Sequence, residues 1–231
     1  MKKVRIRERS KRNMALKRIL YFGILSIFLS GCQLDSEYDV YVGDVIDVAE
    51  KGEILEIRSE IKIQVTNCDE NAQKVIDIVG KYFEVSSDFR CSTSGFEEYI
   101  GFATKAPLVI FGDRLPNRIP TGLAVKAVDE NTYELIALLD RDRFSALEAE
   151  VENMDPTASL KINKVELNVN NDLRTTVELE VLGVWINNDP VSFGLLTLDR
   201  RDEANLIMSN VFSAEVQKKG FARVAKIKVI D

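Results

Sequence analysis

Three cysteines are the residues of this chain best suited to chemistry, and no histidine accompanies them. A thiolate acts as nucleophile or metal ligand when a neighbouring base or cation lowers its pKa. Without imidazole, a Cys-His or Ser-His-Asp centre of the usual kind is excluded, as is any zinc site that needs a histidine. Carboxylates are the next candidates. Asp140-Arg141-Asp142-Arg143 and Asp199-Arg200-Arg201-Asp202-Glu203 are the densest charge clusters. A cleft can shift a carboxylate pKa in such a run, but both read as solvated faces and turns. Asp35, Glu37 and Asp39 lack the ligand spacing of an EF-hand. Ser92, Thr93, Ser94 and Gly95 follow Cys91 with neither a G-x-S-x-G elbow nor a P-loop. Phe96, Tyr99 and Phe102 read as core rather than as the lining of an exposed groove, and Trp185 as core rather than as a sugar platform. No catalytic, cofactor-binding or metal-ligating residue is assigned.

The elements that would deliver these cysteines start at the amino terminus. Nine basic residues between Lys2 and Arg18, against the single acid Glu8, precede the apolar run Ile19–Leu29. A basic flank, a short apolar core and a small-residue cleavage site make a secretory signal peptide, its flank left in the cytoplasm. The run is short of the roughly 20 apolar residues of a membrane span. The alternative is an uncleaved helix ending at Cys32. Leu29-Ser30-Gly31-Cys32 resembles the lipobox of bacterial lipoproteins with a type II signal peptide. The resemblance implies that Cys32 carries a diacylglycerol on its sulfur, begins the mature chain and is acylated at the new amino terminus. Two or more chains anchor stably where one does not, each buried methylene contributing about 0.8 kcal/mol. In Gram-negative members, Asp after the cysteine goes with retention in the inner membrane. Gln33 therefore favours the outer membrane, on its periplasmic face. Met14 also begins a signal of ordinary length.

With Cys32 so assigned, Cys68 and Cys91 remain in an oxidising compartment and are expected to pair as one disulfide, contributing roughly 3 kcal/mol in the chain-entropy account. The alternative is a catalytic or metal-binding thiol. The mature chain is also similar to small uncharacterised lipoproteins of Gram-negative bacteria and phages, through the lipobox, the Asp- and Val-rich stretch after it and the paired cysteines. That similarity implies no activity.

The chain carries 31 basic and 37 acidic side chains, net −6; removing residues 1–31 takes away nine and one, leaving 22 and 36, net −14. Nucleic-acid binding, which needs clustered Lys and Arg, is excluded as an expectation. The charge keeps an exported domain soluble.

Periodicity sets the remaining organisation. Residues 33–43 read as a solvated tether after the lipid, and residues 44–50 as a short helix. Leu55 to Val65 alternate apolar and polar, a half-buried strand. Ala72, Val75, Ile76, Val79, Tyr82 and Phe83 recur at helical spacing, placing a helix over 70–84. Phe96 to Phe111 read as strand interrupted at Pro107. Leu123–Val128 and Tyr133–Leu139 form a hairpin about Asp129-Glu130-Asn131. Asp142 caps a helix that Asp155-Pro156 stops. Beyond it strands follow strands, with a bulge at Asn163-Lys164, a phase shift at Gly183 and a short helix between Ser209 and Gly220. The expected fold is α+β, largely antiparallel sheet with about three helices and a sandwich-like, β-rich C-terminal part. Its segments are 1–31 signal peptide, 32–43 lipidated tether, 44–156 an α+β subdomain with the disulfide, and 157–231 a β-rich subdomain.

The expected function is a non-enzymatic lipoprotein that binds or scaffolds an envelope protein partner, with a mobile-element or phage-related change to the cell surface as a more specific variant. No cofactor is expected. The alternatives are an envelope hydrolase using two carboxylates across a cleft and a small-molecule carrier, which needs a closed apolar pocket of about 300–1,000 Å³.

Overall fold

The computed structural model describes residues 32–230 apart from 117, 155–158 and 188. The signal peptide, the choice between Met1 and Met14 and the stop at Asp155-Pro156 lie outside the described residues. The elements are β1 (Gln33–Tyr41), α1 (Val42–Lys51), β2 (Leu55–Val65), α2 (Cys68–Val79), β3 (Arg90–Ser94), β4 (Glu97–Ile110), β5 (Thr121–Asp129), β6 (Thr132–Leu139), α3 (Arg141–Met154), β7 (Lys161–Asn170), β8 (Thr176–Ile186), β9 (Asp189–Leu198), β10 (Glu203–Met208), α4 (Asn210–Lys219) and β11 (Phe221–Ile230).

Nine strands close into a barrel in the order β10-β7-β1-β2-β4-β5-β6-β11-β8, with β8 returning to β10. β3 and β9 lie outside this ring, on β4 and β8. Pairs β1–β7 and β4–β5 are parallel, and the other pairs in the ring are antiparallel. The α+β sheet with a sandwich-like C-terminal part is thereby corrected to a mostly β, closed barrel with four helices.

Two stretches account for the difference. Residues 33–41 are the barrel strand β1, not a tether. Leu34, Ser36, Tyr38 and Val40 are buried and face inward, while Asp35, Glu37 and Asp39 alternate outward. Three carboxylates in a row look like solvated chain, yet they occupy every second position, the period of a strand. The second stretch is β8. Gly183, with φ 60, separates Thr176–Val181, which pair with β11, from Val184–Ile186, which pair with β10. Glycine takes that left-handed conformation without a Cβ penalty, so one strand serves two neighbours and the ring closes.

Residues 32–231 form one compact unit, and no division falls at residue 156. β1 joins β2 on one side and β7 on the other, while β6 joins β5 and β11, so both expected subdomains share one ring. The bulge expected at Asn163-Lys164 is present, where the β1–β7 register skips Asn163.

The lumen is filled by side chains, as a ring of about this size allows. Leu34, Ile61, Phe102, Leu135, Leu167 and Leu179 are at most 2 % exposed, and each such side chain contributes about 1.5–3 kcal/mol on burial. Tyr38 also points inward, hydrogen-bonded to Ser36 and Thr121, and burial pushes its pKa up. α1 packs on β1, β4, β5 and β6, α2 on α3 and β4, and α4 on β6, β7 and β11. α2 starts at Asn67, whose side chain accepts from Glu70 N at 3.1 Å. α4 runs from the cap Ser209 to Gly220, φ 86. α3 is capped two residues earlier than expected: Asp140, not Asp142, accepts from Arg143 N at 3.1 Å.

Candidate functional site

The outer face of β7, β1, β2, β4 and β3 carries one row of residues in register: Lys164, Asp35, Lys62, Gly101, Arg90. The strand alternation that buries Leu34, Ile63 and Ile100 turns this row to the outside. Above it opens a groove of about 550 Å³, lined also by Glu60, Ser92, Ser94 and Tyr99. Gly101 leaves the fourth place of the row without a side chain, so the groove has a floor of bare backbone between Lys62 and Arg90.

The charges of the groove differ in how they are held. Lys62 Nζ lies 3.4 Å from Glu60 Oε1 and 4.0 Å from Glu37 Oε2. Lys164 pairs with Glu166 on its own strand. Among the described residues Arg90 makes no ion pair and no side-chain hydrogen bond, and it is exposed. Asp35 is half-buried. Burial pushes its pKa up, and the Asn163 amide, donating to Oδ1 at 2.9 Å, and the charges of Lys164 and Lys62 offset this only in part. Burial also acts upward on Glu166, but hydrogen bonds from Lys164 and Asn205 hold it below the usual range. Asn205 Nδ2 donates to Glu166 Oε1 at 2.6 Å and to Asn168 Oδ1 at 2.8 Å. Asn168 Nδ2 in turn bridges Glu37 and Asp39, both at 3.0 Å. Tyr99 donates its hydroxyl to Glu97 Oε2 at 2.8 Å, and burial followed by Glu97 pushes its pKa well up.

Cys91 lines one wall of the groove, and its partner Cys68 lies buried behind that wall. Cys68 opens α2, Cys91 lies in β3, and they form a disulfide with Cα atoms 6.0 Å apart. All five residues of β3 are exposed and pair with β4 alone. The disulfide is thus the second tie that holds Arg90 and Ser92 in place. Cys68 N donates to Glu98 Oε2 at 2.7 Å, which fixes the helix end against β4.

Cys32 is the first described residue, immediately before β1. Its carbonyl accepts from Lys161 N at 3.0 Å, and it is partly buried against the core. Beside it lies an apolar hollow of only about 10 Å³, lined by residues such as Ile63, Val79, Leu147 and Met154. The other sequence candidates separate. Asp140 and Arg143 pair at 3.1 Å, and Arg143 Nη1 donates to the carbonyls of Leu115, Pro116 and Ile119, so that cluster fastens α3 to the preceding loop. Asp199 to Asp202 form a turn with Arg201 at φ 71, closed by Asp199 N donating to Asp202 Oδ2 at 3.0 Å, and Glu203 opens β10. Phe102 is core and Tyr99 nearly so, but Phe96 is fully exposed at the β3–β4 turn. Trp185 is 44 % exposed, not core.

Trp185 belongs to a second surface feature that sequence reasoning missed. On the β8–β9 hairpin Leu182 pairs with Phe193, and Leu195 follows on the same strand; the three are 49 %, 62 % and 60 % exposed. β9 pairs with β8 alone. The run Val191 to Leu198 carries no charge, unlike edge strands protected by lysine or by inward-pointing charges. That charge-free run was the available signal. For the groove the signal was Tyr99 alone, one of the aromatics that could line a groove; its charged row comes from five strands that only the fold brings together.

Among the described residues no helix is long and apolar enough to cross a membrane. Over β1, β2 and β7 the ring is apolar inside and charged outside, with Arg58, Lys62 and Lys164 on mid-strand outer positions. That is the reverse of a lipid-facing barrel, where such a charge costs about 2–4 kcal/mol at the midplane.

The family described as "Domain of unknown function (DUF7424)" matches residues 34–229, from the second residue of β1 to the ninth of β11. No curated protein and no solved structure matches the chain.

Proposed function

The chain belongs to the DUF7424 family, and on that premise we propose that it is a lipid-anchored envelope protein that binds another envelope component without catalysing a reaction. The anchor reading is supported by Leu29-Ser30-Gly31-Cys32 behind a basic and apolar leader. In this reading lipid on Cys32 holds the barrel on the periplasmic face of the outer membrane with no tether between, because β1 starts at the next residue. The family match begins just past the same cysteine.

The observation that carries the binding half is the outward hairpin. Phe193 and Leu195 on the edge strand β9, with Leu182 and Trp185 beside them on β8, present apolar side chains at the place where an extended segment of a partner can add to a sheet. The occupant proposed is a β-strand of another envelope protein. Growth with an alkyne analogue of palmitate tests the anchor: the wild-type chain is expected to label and Cys32→Ala not to. A wild-type chain as unlabelled as the variant overturns it. A photo-crosslinking residue at Phe193 of the anchored chain tests the partner. A discrete adduct is expected there and not at Val128, which is exposed on β5; no adduct at Phe193 overturns the reading.

A second reading, an envelope hydrolase working through two carboxylates, is favoured by Asp35 and Glu60 sharing one groove, with the Asp35 pKa raised by burial. Release of sugar or peptide fragments from envelope polymers by the wild type and not by Asp35→Asn would favour it over binding alone.

A further inference from the structure

The groove and the hairpin are different surfaces, and the groove has a chemistry of its own. Three cations, Lys164, Lys62 and Arg90, stand in one row on a domain that is otherwise strongly acidic. Two of them are satisfied by neighbouring carboxylates. The third is not: Arg90 lines the groove, exposed, and its guanidinium has no partner among the described residues. A guanidinium is a rigid fork that matches the two oxygens of a carboxylate or phosphate. Around it the groove offers the hydroxyls of Ser92 and Ser94 and the open floor at Gly101. About 550 Å³ is within the range of sites for small molecules.

We propose that this groove binds a small, hydroxyl-rich acid, its carboxylate or phosphate group held by Arg90 and its hydroxyls by the serines of β3, with the body of the molecule lying over Gly101. The disulfide is then part of the site, since it fixes the strand that carries Arg90 and both serines. The inference does not draw on the lipid anchor or on the hairpin, so it stands or falls separately from them.

Titration calorimetry on the full chain in detergent tests it with four probes: glucuronate, glucose 6-phosphate, inorganic phosphate and glucose. Binding of glucuronate or glucose 6-phosphate, with glucose at least tenfold weaker, is expected; which of the two binds tighter tells carboxylate from phosphate. Inorganic phosphate binding as tightly as the sugar phosphate would remove the hydroxyl part of the proposal. Arg90→Gln should weaken the acidic sugar by tenfold or more. Gly101→Leu should do the same by occupying the floor. A Cβ at that position meets only ordinary contacts, the nearest at 3.5 Å, so the variant should melt with the wild type. The proposal is overturned if no acidic probe binds, if glucose binds as well as glucuronate, or if neither variant changes the affinity while both remain folded.

Discussion

The barrel shows two outer surfaces built on one kind of interior. Across β7, β1, β2, β4 and β3 the outward positions are charged, cross-linked by hydrogen bonds and hollowed into a groove. Along β9 and from Leu182 onward on β8 they are mostly apolar and bare, while Glu178 and Glu180 hold the outward positions of β8 beside β11. The inward positions are alike on both sides, mostly apolar and buried. Alternation along a strand therefore fixes the inside and leaves the outside free to differ. Both surfaces end at a strand with one neighbour, β3 beside the groove and β9 at the apolar face, so the outside differs in its side chains and not in strand position.

The largest contrast should come from cutting the disulfide. Replacing Cys68 and Cys91 by serine should lower the unfolding free energy by about 2–4 kcal/mol. The loss should also be local. β3 has five exposed residues and one strand neighbour, so its amides should exchange much faster, while those of β8 paired with β11 keep their protection. Urea unfolding with amide exchange measures both. Equal loss of protection in the two regions would mean that the groove wall is not separately held.

The hairpin should respond in the opposite way. Phe193→Ser with Leu195→Ser removes exposed apolar surface and few internal contacts. Stability should change by no more than about 0.5 kcal/mol per site, while the crosslinked adduct proposed for Phe193 is lost. A large drop in melting temperature would instead make these side chains part of the fold.

How much of this was visible beforehand follows from the range of each signal. The helix cap at Ser209, the β5–β6 hairpin and the bulge at Asn163 are written in neighbouring residues and were legible. The pairing of Cys68 with Cys91 was legible because the chain offered no better partner once Cys32 was assigned elsewhere. The closed ring was not, because it depends on β1 pairing with β7, more than a hundred residues away, and on Gly183 letting β8 serve both β11 and β10. Gly183 was legible as a phase shift, but a phase shift does not say which strands it joins. β1 was misread through its three carboxylates, although the apolar alternation beneath them was present. The misplacement of Trp185 has a different origin: an apolar residue in a strand can face either way, and only the slip at Gly183 decides.

The smallest expected effect lies within the charged wall itself, where two acids on adjacent strands are shifted oppositely. Asp35 is raised chiefly by burial, so the folded chain holds its proton more tightly than the unfolded chain does. Between the two pKa values the native state binds more protons, and stability from this group falls as pH rises through that window. It is greatest below the ordinary carboxylate range of about 4. Glu166 is lowered by Lys164 and Asn205 against the upward pull of burial, so its contribution is present above its ordinary value and is lost as pH falls through the depressed one. Asp35→Asn should therefore flatten a destabilising trend on going from acid to neutral pH, and Glu166→Gln should remove a stabilising one. Thermal melts of the two variants between about pH 3 and pH 7 should diverge from the wild type in opposite senses. Parallel curves would mean that the wall responds to pH as a single averaged surface, and that the row beneath the groove has no special hold on Asp35.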